Sequence, residues 1–377
     1  MTRPAPRVVV VAEGCGDLPP VEAAHQVGAG WSQRAPHADV EVHASSSGAA
    51  GFAEVVGRTL RASFLPVVVP GPRGEEVPAS LALVRDDDGA GGTAYLDTAQ
   101  VCGRHLVGED ALLDPAGMTS AGVGRLLALA RETGVERIVV GVGPLACHDG
   151  GVGLLRELGA GDDLEHLPAV RRDWSGTRLV LATTTEGSLL GFHGASATLT
   201  ERHGVAPEVS QRLETELGEL TDRVNQLLPP ARDLLTGLAR RPEREQGSGA
   251  GGGVGYALQL LGARTDTAPR LLLDELGIRR RLPGALLVLV TDAYDQDTVH
   301  EGVVADTARA ALETATPTVV LARSVSVGRR EGMSLGVSGS YELRPGEDLP
   351  ALAARVARTW TPPPPATPPP GSAAGTG

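Results

Sequence analysis

His148-Asp149-Gly150-Gly151 puts a carboxylate on a glycine turn shortly after the apolar run Ile138 to Val142. A carboxylate in that position can orient or deprotonate a substrate hydroxyl, and the glycines let a ligand approach the backbone closely. A second stretch, Gly247 to Gly255, reads G-S-G-A-G-G-G-V-G and opens a helical pattern. Backbone N–H groups on such a loop, with the positive end of a helix dipole behind them, suit an anion. The stretch contains a G-x-G-x-x-G spacing. However, polar A-R-R-P-E-R-E-Q precedes it where a dinucleotide fold needs a strand, and the G-K-[ST] of a Walker loop is absent. Close packing of loop and helix is the alternative reading of the same glycines.

The cations available to such chemistry are unusual. All 34 basic residues are arginine, so no lysine can clamp a phosphate or form a Schiff base. A formal net charge of −12 argues against a nucleic-acid surface. Cys15, Cys102 and Cys147 lie far apart without CxxC spacing, which suggests neither a disulfide scaffold nor a zinc site. No apolar run approaches the ~20 residues of a membrane span. Arg7 to Ala12 is too short for a signal peptide and reads as a first strand, so no membrane partner is expected and the expected compartment is the cytoplasm. At 377 residues and 41% apolar content, the chain is expected to form two ordinary soluble domains. Aromatics make up only 3%, so their cores must rest on Val, Leu and Ala.

The elements that would hold these groups follow from periodicity. Leu126, Leu127, Leu129 and Ala130 mark a helix ending at Gly134, Ile138 to Val142 a strand buried on both faces, and Leu154, Leu155 and Leu158 a further helix ending at Gly159. Helix–strand–helix alternation implies a parallel sheet, which binds ligands at the carboxyl ends of its strands. Val8 to Ala12 is a strand, followed by a helix from Val21 to Arg34. His43 to Gly51, H-A-S-S-S-G-A-A-G, reads as a solvated turn before a helix from Phe52 to Leu60. Pro66 to Arg73 and Ala79 to Asp97 read as strands and hairpins. Asp86-Asp87-Asp88-Gly89 is taken as a hairpin turn, because it lacks the alternating ligands of a calcium loop. Beyond Ala160 a polar connection leads to a strand at Arg178 to Ala182. Pro207 to Arg240 is an amphipathic helical region interrupted at Pro229-Pro230, with Leu213, Leu217, Leu220, Val224 and Leu227 as its core stripe. A helix at Tyr256 to Leu261, strands at Ala285 to Thr291 and Thr318 to Ala322, a loop at Gly328 to Ser340 and a helix at Leu349 to Trp360 complete the pattern. Thr361 to Gly377, rich in Pro, Gly and Ala, reads as a disordered tail.

Residues 118–160 also resemble the bacterial glycerate kinase family, whose pattern is T-S-x-G-x-G-E-L, then G-x-G-G-S-A-T-N-D-G-G-x-G, then a helix ending L-G-A. Thr119, Ser120, Gly122, Gly124, Gly141, Gly143, Asp149, Gly150, Gly151, Gly153 and Leu158-Gly159-Ala160 match; Pro144-Leu145 replaces Gly-Ser and His148 replaces Asn. The family's G-A-G-A-A-G-G-L-G fits Gly247 to Gly255 without a gap. Gly191, Gly194, Ala195 and Gly204 hold a further register, and Thr98 to Gly103 is loosely similar to M-A-x-A-S-G.

The resemblance implies an α/β fold of two domains with parallel or mixed sheets. One domain would be discontinuous (residues 1–64 and 284–360), with the other (65–283) inserted and the ligand cleft at their junction. It implies ATP-dependent phosphorylation of glycerate or a similar hydroxy acid, with Mg-ATP as cofactor. Asp149 and Asp295 would then be the catalytic carboxylates. Ser120, His148, Gly150, Gly151, Glu186, Gly247, Gly249, Gly252 and Gly253 would bind substrate or phosphate. Several charged positions of the family are neutral or changed here. The acid on the first turn could come from Glu13 or Asp17, but its lysine has no counterpart. Ser47 stands at an Asp, Ala50 at a Glu, Thr184 at an Asp, His203 at a Lys and Ala293 at a Glu. Since removing one electrostatic group of an active site commonly costs about 10²–10³ in rate, three readings stay open. They are a working glycerate kinase, a degenerate paralogue that keeps the fold and weak anion binding, and a kinase of another hydroxy acid rebuilt around Arg, His and Glu. A Rossmann oxidoreductase is a distant fourth.

Overall fold

The computed structural model describes residues 5–86, 91–230, 232, 237 and 239–361. Apart from Asp86 and Thr361, the expected aspartate hairpin turn and the expected tail fall outside these residues. The strands in chain order are β1 (Arg7–Ala12), β2 (Asp39–Ala44), β3 (Ser63–Pro70), β4 (Glu76–Arg85), β5 (Gly92–Asp97), β6 (Arg137–Val142), β7 (Arg178–Thr183), β8 (Arg264–Thr267), β9 (Ala285–Tyr294), β10 (Thr318–Val325) and β11 (Val337–Glu342). They form two sheets in a mixed α/β fold.

The chain divides into two compact units. The first takes the described residues of Met1–His43, Arg281–Asp295 and Ala311–Gly377. Its sheet runs β11-β10-β9-β1-β2, and β1 lies parallel to β9 with Val8 opposite Leu286 and Val11 opposite Leu289. The β-branched run of β1 is buried on both faces, as a central parallel strand must be. Helices Pro20–Arg34 and Leu349–Trp360 pack together beside this sheet. Gly30 makes their contact possible, because a Cβ there would lie 2.2 Å from the Pro350 carbonyl oxygen. Buried Trp31 donates its indole N–H to Thr361 Oγ1 at 3.0 Å and belongs to the same hydrophobic core as Val8, Val288 and Leu352. The stretch expected as a loop at Gly328 to Ser340 is instead a helix, Arg329–Ser334, followed by the edge strand β11. Its alternating V-S-G-S-Y-E buries Val337 and pairs with β10 in parallel, with Val319 opposite Gly339.

The second unit takes Ala44–Arg280 and Gln296–Ala310. The serine-rich turn and the helix Phe52–Leu60 therefore pack in this unit, although they fall before residue 65 in the division expected from the resemblance. Its sheet runs β3-β4-β5-β6-β7-β8; the first three strands are antiparallel and β5 to β8 parallel. The central strand β6 is buried along Ile138 to Val142. Its Gly141 leaves room for a neighbour, since a Cβ there would stand 2.5 Å from the ring of Phe52. Helix Ala121–Glu132 crosses from β5 to β6 and buries Val123, Leu126, Leu127 and Ala130 at helical spacing. Between β6 and β7, the expected polar connection contains a helix, Leu167–Trp174, whose buried Leu167, Val170 and Trp174 form one stripe. Helix Pro207–Leu227 ends before Pro229-Pro230, with Leu213, Leu217, Leu220 and Val224 buried. Among the described residues, no helix is long and apolar enough to cross a membrane.

Candidate functional site

In the second unit, the loops after β5, β6, β7 and β8 emerge at the carboxyl ends of the parallel strands, where the fold gathers its polar side chains. Asp97 closes β5. Its Oδ2 accepts the Gly51 N–H at 2.7 Å and its Oδ1 the Ala99 N–H at 3.0 Å. Burial pushes its carboxyl up to about 6, against the pull of the Gly51, Ala99 and Phe52 amides. Asp97 thus pins the start of helix Phe52–Leu60, and with it the serine-rich turn. That turn lies across the same edge: a Cβ on Gly48 would come within 2.8 Å of the Ala182 carbonyl on β7, and one on Gly143 within 2.6 Å of Ala49. The turn expected to be solvated buries Ser45 and Ser46, and Ser46 Oγ accepts the Gly48 N–H.

Asp149, on the loop after β6, has little free acceptor capacity. Its Oδ2 accepts the Ser120 N–H, the Ser120 hydroxyl and the Gly153 N–H at 2.9, 2.9 and 3.0 Å, and its Oδ1 accepts the Gly151 N–H at 3.0 Å. Ser120 Oγ in turn accepts the Leu154 N–H at 2.9 Å. The pair therefore ties together the starts of helices Ala121–Glu132 and Val152–Glu157, satisfying amides that helix termini leave open. Gly150 and Gly151 both take positive φ, +66° and +76°, which carries the chain through the turn. Neighbouring His148 is buried and lies 2.9 Å from Ser196 Oγ through Nε2. Burial lowers its pKa to about 4, so the ring is neutral near pH 7.

The glycine loop is packed from both sides. The Gly247 N–H donates to the Glu186 carbonyl and the Gly249 N–H to the Gly187 carbonyl, while the Gly252 carbonyl accepts the Gly150 N–H. A Cβ at Gly249 would meet the Ser188 oxygen at 2.3 Å, one at Gly252 the Cys147 oxygen at 2.2 Å, and one at Gly253 the Gly150 Cα at 2.4 Å. The loop joins the turns that follow β6 and β7, and close backbone packing accounts for these glycines without a ligand.

Glu186 is exposed, 3.8 Å from Arg270. Arg270 also stands 3.5 Å from Asp266 and 3.6 Å from Asp306, and Arg309 lies 3.3 Å from Asp306. Thr267, at the end of β8, donates its hydroxyl to buried Asp306. This carboxylate–guanidinium cluster was not read from the sequence, although Asp266–Arg270 and Asp306–Arg309 carry the i,i+4 and i,i+3 spacings of helical ion pairs. Asp97 was missed as well.

Asp295 belongs to the first unit, directly after β9. There Glu13, at the end of β1, accepts the Thr291 hydroxyl at 2.6 Å; burial raises its carboxyl, and Asp295 adds to the rise. Asp292 receives Arg323 at 2.7 Å on each oxygen and is held below its usual range by it. Among the described residues, no group of three or more His, Cys, Asp or Glu is arranged to hold a metal ion.

Comparison with known proteins adds to this geometry. The family model described as the glycerate kinase family matches residues 8–360. An uncharacterised protein of Mycobacterium bovis is 32% identical over 343 residues, covering 90% of this chain and 84% of its own. The glycerate kinase of Bacillus subtilis is 26% identical over 352 residues, covering 87% of each chain. A crystal structure assigned to glycerate kinase 2 of Salmonella typhimurium LT2 matches with a TM-score of 0.73 at 24% identity, over 94% of this chain and 98% of the other, a likeness of fold.

Proposed function

The chain belongs to the glycerate kinase family, and from that premise we propose that it transfers the terminal phosphoryl group of ATP to a hydroxyl of glycerate or a similar small hydroxy acid. The observation that carries this reading is the set of polar groups at the carboxyl edge of the second unit. Phosphoryl transfer asks little covalent chemistry of a protein; it needs an oriented hydroxyl and cations on the developing charge. Arg270 offers the cation and exposed Glu186 the acceptor that orients the hydroxyl. Asp149 acts as a positioning residue, because its four donors leave little capacity for a substrate proton. When bound, Mg-ATP supplies the transferable group. Magnesium commonly keeps several waters and takes only one or two carboxylates beside the phosphates, so a site that shows no protein cage among the described residues fits it.

A second reading, nucleotide binding without turnover, is favoured by the serine-rich turn. It lies on the same edge and carries neutral Ser47 and Ala50 where the resemblance aligns carboxylates. ADP release, coupled to a reporter and measured with Mg-ATP against glycerate and a panel of short hydroxy acids, separates the two. Release that depends on a hydroxy acid is expected. If Mg-ATP binds but no hydroxy acid raises ADP release above background, the kinase reading is wrong.

A further inference from the structure

A cavity of about 690 Å³ lies along the free edge of β8 in the second unit. Four arginines line it: Arg171 from helix Leu167–Trp174, Arg264 at the start of β8, Arg270 after its end, and Arg240 from the segment before the glycine loop. Three carboxylates, Glu186, Glu245 and Asp266, line it too. They pair with Arg240 and Arg270: Glu245 lies 3.1 Å from Arg240, and Glu186 and Asp266 flank Arg270. The guanidinium groups of Arg171 and Arg264 have no ion pair or hydrogen bond with another described residue, and both residues are exposed. In an acidic protein, the cavity therefore concentrates unneutralised positive charge.

Two further features narrow the ligand. The Gln259 amide nitrogen donates to the Gln246 carbonyl and to Thr265 Oγ1, but its buried Oε1 has no donor, and this residue borders the cavity. Leu228 and Pro229 add apolar surface on which a ring can lie. The volume falls within the ~300–1,000 Å³ of sites for small organic ligands. Thr183 and Thr267 extend the lining to the carboxyl ends of β7 and β8, beside Glu186 and Arg270.

We infer that this cavity binds a nucleoside triphosphate, with Arg171 and Arg264 gripping its phosphates and the Gln259 carbonyl meeting an exocyclic amine of the base. The inference rests on the kinase reading for the identity of the nucleotide, but its residues stand on their own geometry. Guanidinium groups here do the work that lysines do in many phosphate sites, and their planar forks suit phosphate oxygens.

The test is calorimetric titration of the full chain with Mg-ATP and, separately, with inorganic triphosphate. Wild type is compared with Arg171→Ser, Arg264→Ser, the double variant, and Arg34→Ser as an exposed arginine outside the cavity. Each lost arginine is expected to weaken Mg-ATP binding about tenfold, with Arg34→Ser unchanged and thermal melting unaltered in all. Triphosphate should bind more weakly than Mg-ATP but lose affinity in the same variants. Unchanged Mg-ATP affinity in the folded double variant, equal weakening by Arg34→Ser, or no wild-type binding at millimolar nucleotide would each overturn the inference. The kinase reading fails separately. If the double variant abolishes binding while wild type phosphorylates no hydroxy acid, the site stands and the kinase assignment falls. If wild type turns over and the double variant keeps the same KM for ATP, the assignment stands and the site falls.

Discussion

Two buried groups on the carboxyl edge of the second unit should give the protein opposing pH dependences that single substitutions unmask. His148 titrates at about 4 in the folded chain, against 6.5 when unperturbed. As pH falls below 6.5 the unfolded chain takes up a proton that the folded chain refuses. The His148 contribution is thus fully present above 6.5 and is lost as pH falls toward 4. The gap corresponds to ~3 kcal/mol. Asp97 behaves in reverse: at about 6 when folded against 3.8 unperturbed, it holds a proton that the unfolded chain has released. Its contribution is fully present below 3.8 and lost as pH rises through about 6, again by ~3 kcal/mol. Across pH 4 to 6 the two slopes nearly cancel. His148→Asn removes one of them, so its stability relative to wild type should fall as pH rises from 4 to 6, by ~2 kcal/mol across the window. Asp97→Asn should show the opposite trend of similar size. Urea denaturation at half-unit pH steps reads both, and only the change of the difference with pH matters, because each substitution also carries a pH-independent cost. Parallel profiles for the two variants would refute the argument.

Three other outcomes follow from the same contacts. Ser120→Ala removes a donor to Asp149 and leaves the Leu154 N–H without its acceptor, and should cost ~2 kcal/mol in denaturant unfolding. Gly249→Ala places a methyl 2.3 Å from the Ser188 oxygen and should destabilise the fold by ~1–3 kcal/mol even without nucleotide; an unaltered melt would show that the loop yields. Glu186→Gln should leave stability within ~0.5 kcal/mol while lowering kcat by about 10²-fold, and an unchanged kcat would remove Glu186 from the reaction.

Much of this fold could be read from the sequence wherever burial imposes a period. The strand at Ile138 to Val142, the helix at Leu349 to Trp360 and the leucine stripe of Pro207–Leu227 all have apolar spacing dictated by a core. Strand β8 has no such signal: R-T-D-T is four polar residues, and only its parallel register with Val180 to Thr183 makes it a strand. Helix Leu167–Trp174 did carry a stripe, but a short one spread among charges. At the site, Asp149 and the glycines were visible because a turn restricts residue type. Asp97 was not, since an acid ending a strand reads as an ordinary boundary and its burial comes from a turn some 46 positions away.

The roles of the visible and hidden groups are in part exchanged. Asp149 stood out as a carboxylate on a tight turn, yet the glycine turn brings backbone N–H groups onto it, and a carboxylate accepting four donors has few lone pairs left for a substrate hydroxyl. The spare capacity lies at the other end of the edge. There Glu186 is exposed and Arg270 is shared at 3.5–3.8 Å among three carboxylates. These are loose contacts that a phosphate could replace at closer range. A chain without lysine still has to meet phosphate charge, and it can do so only with guanidinium groups, which need carboxylates or a ligand to balance them. The acids around Arg270 supply that balance where they are present. The guanidinium groups of Arg171 and Arg264 make no ion pair among the described residues, and on the proposal above their balance falls to the ligand that enters the cavity.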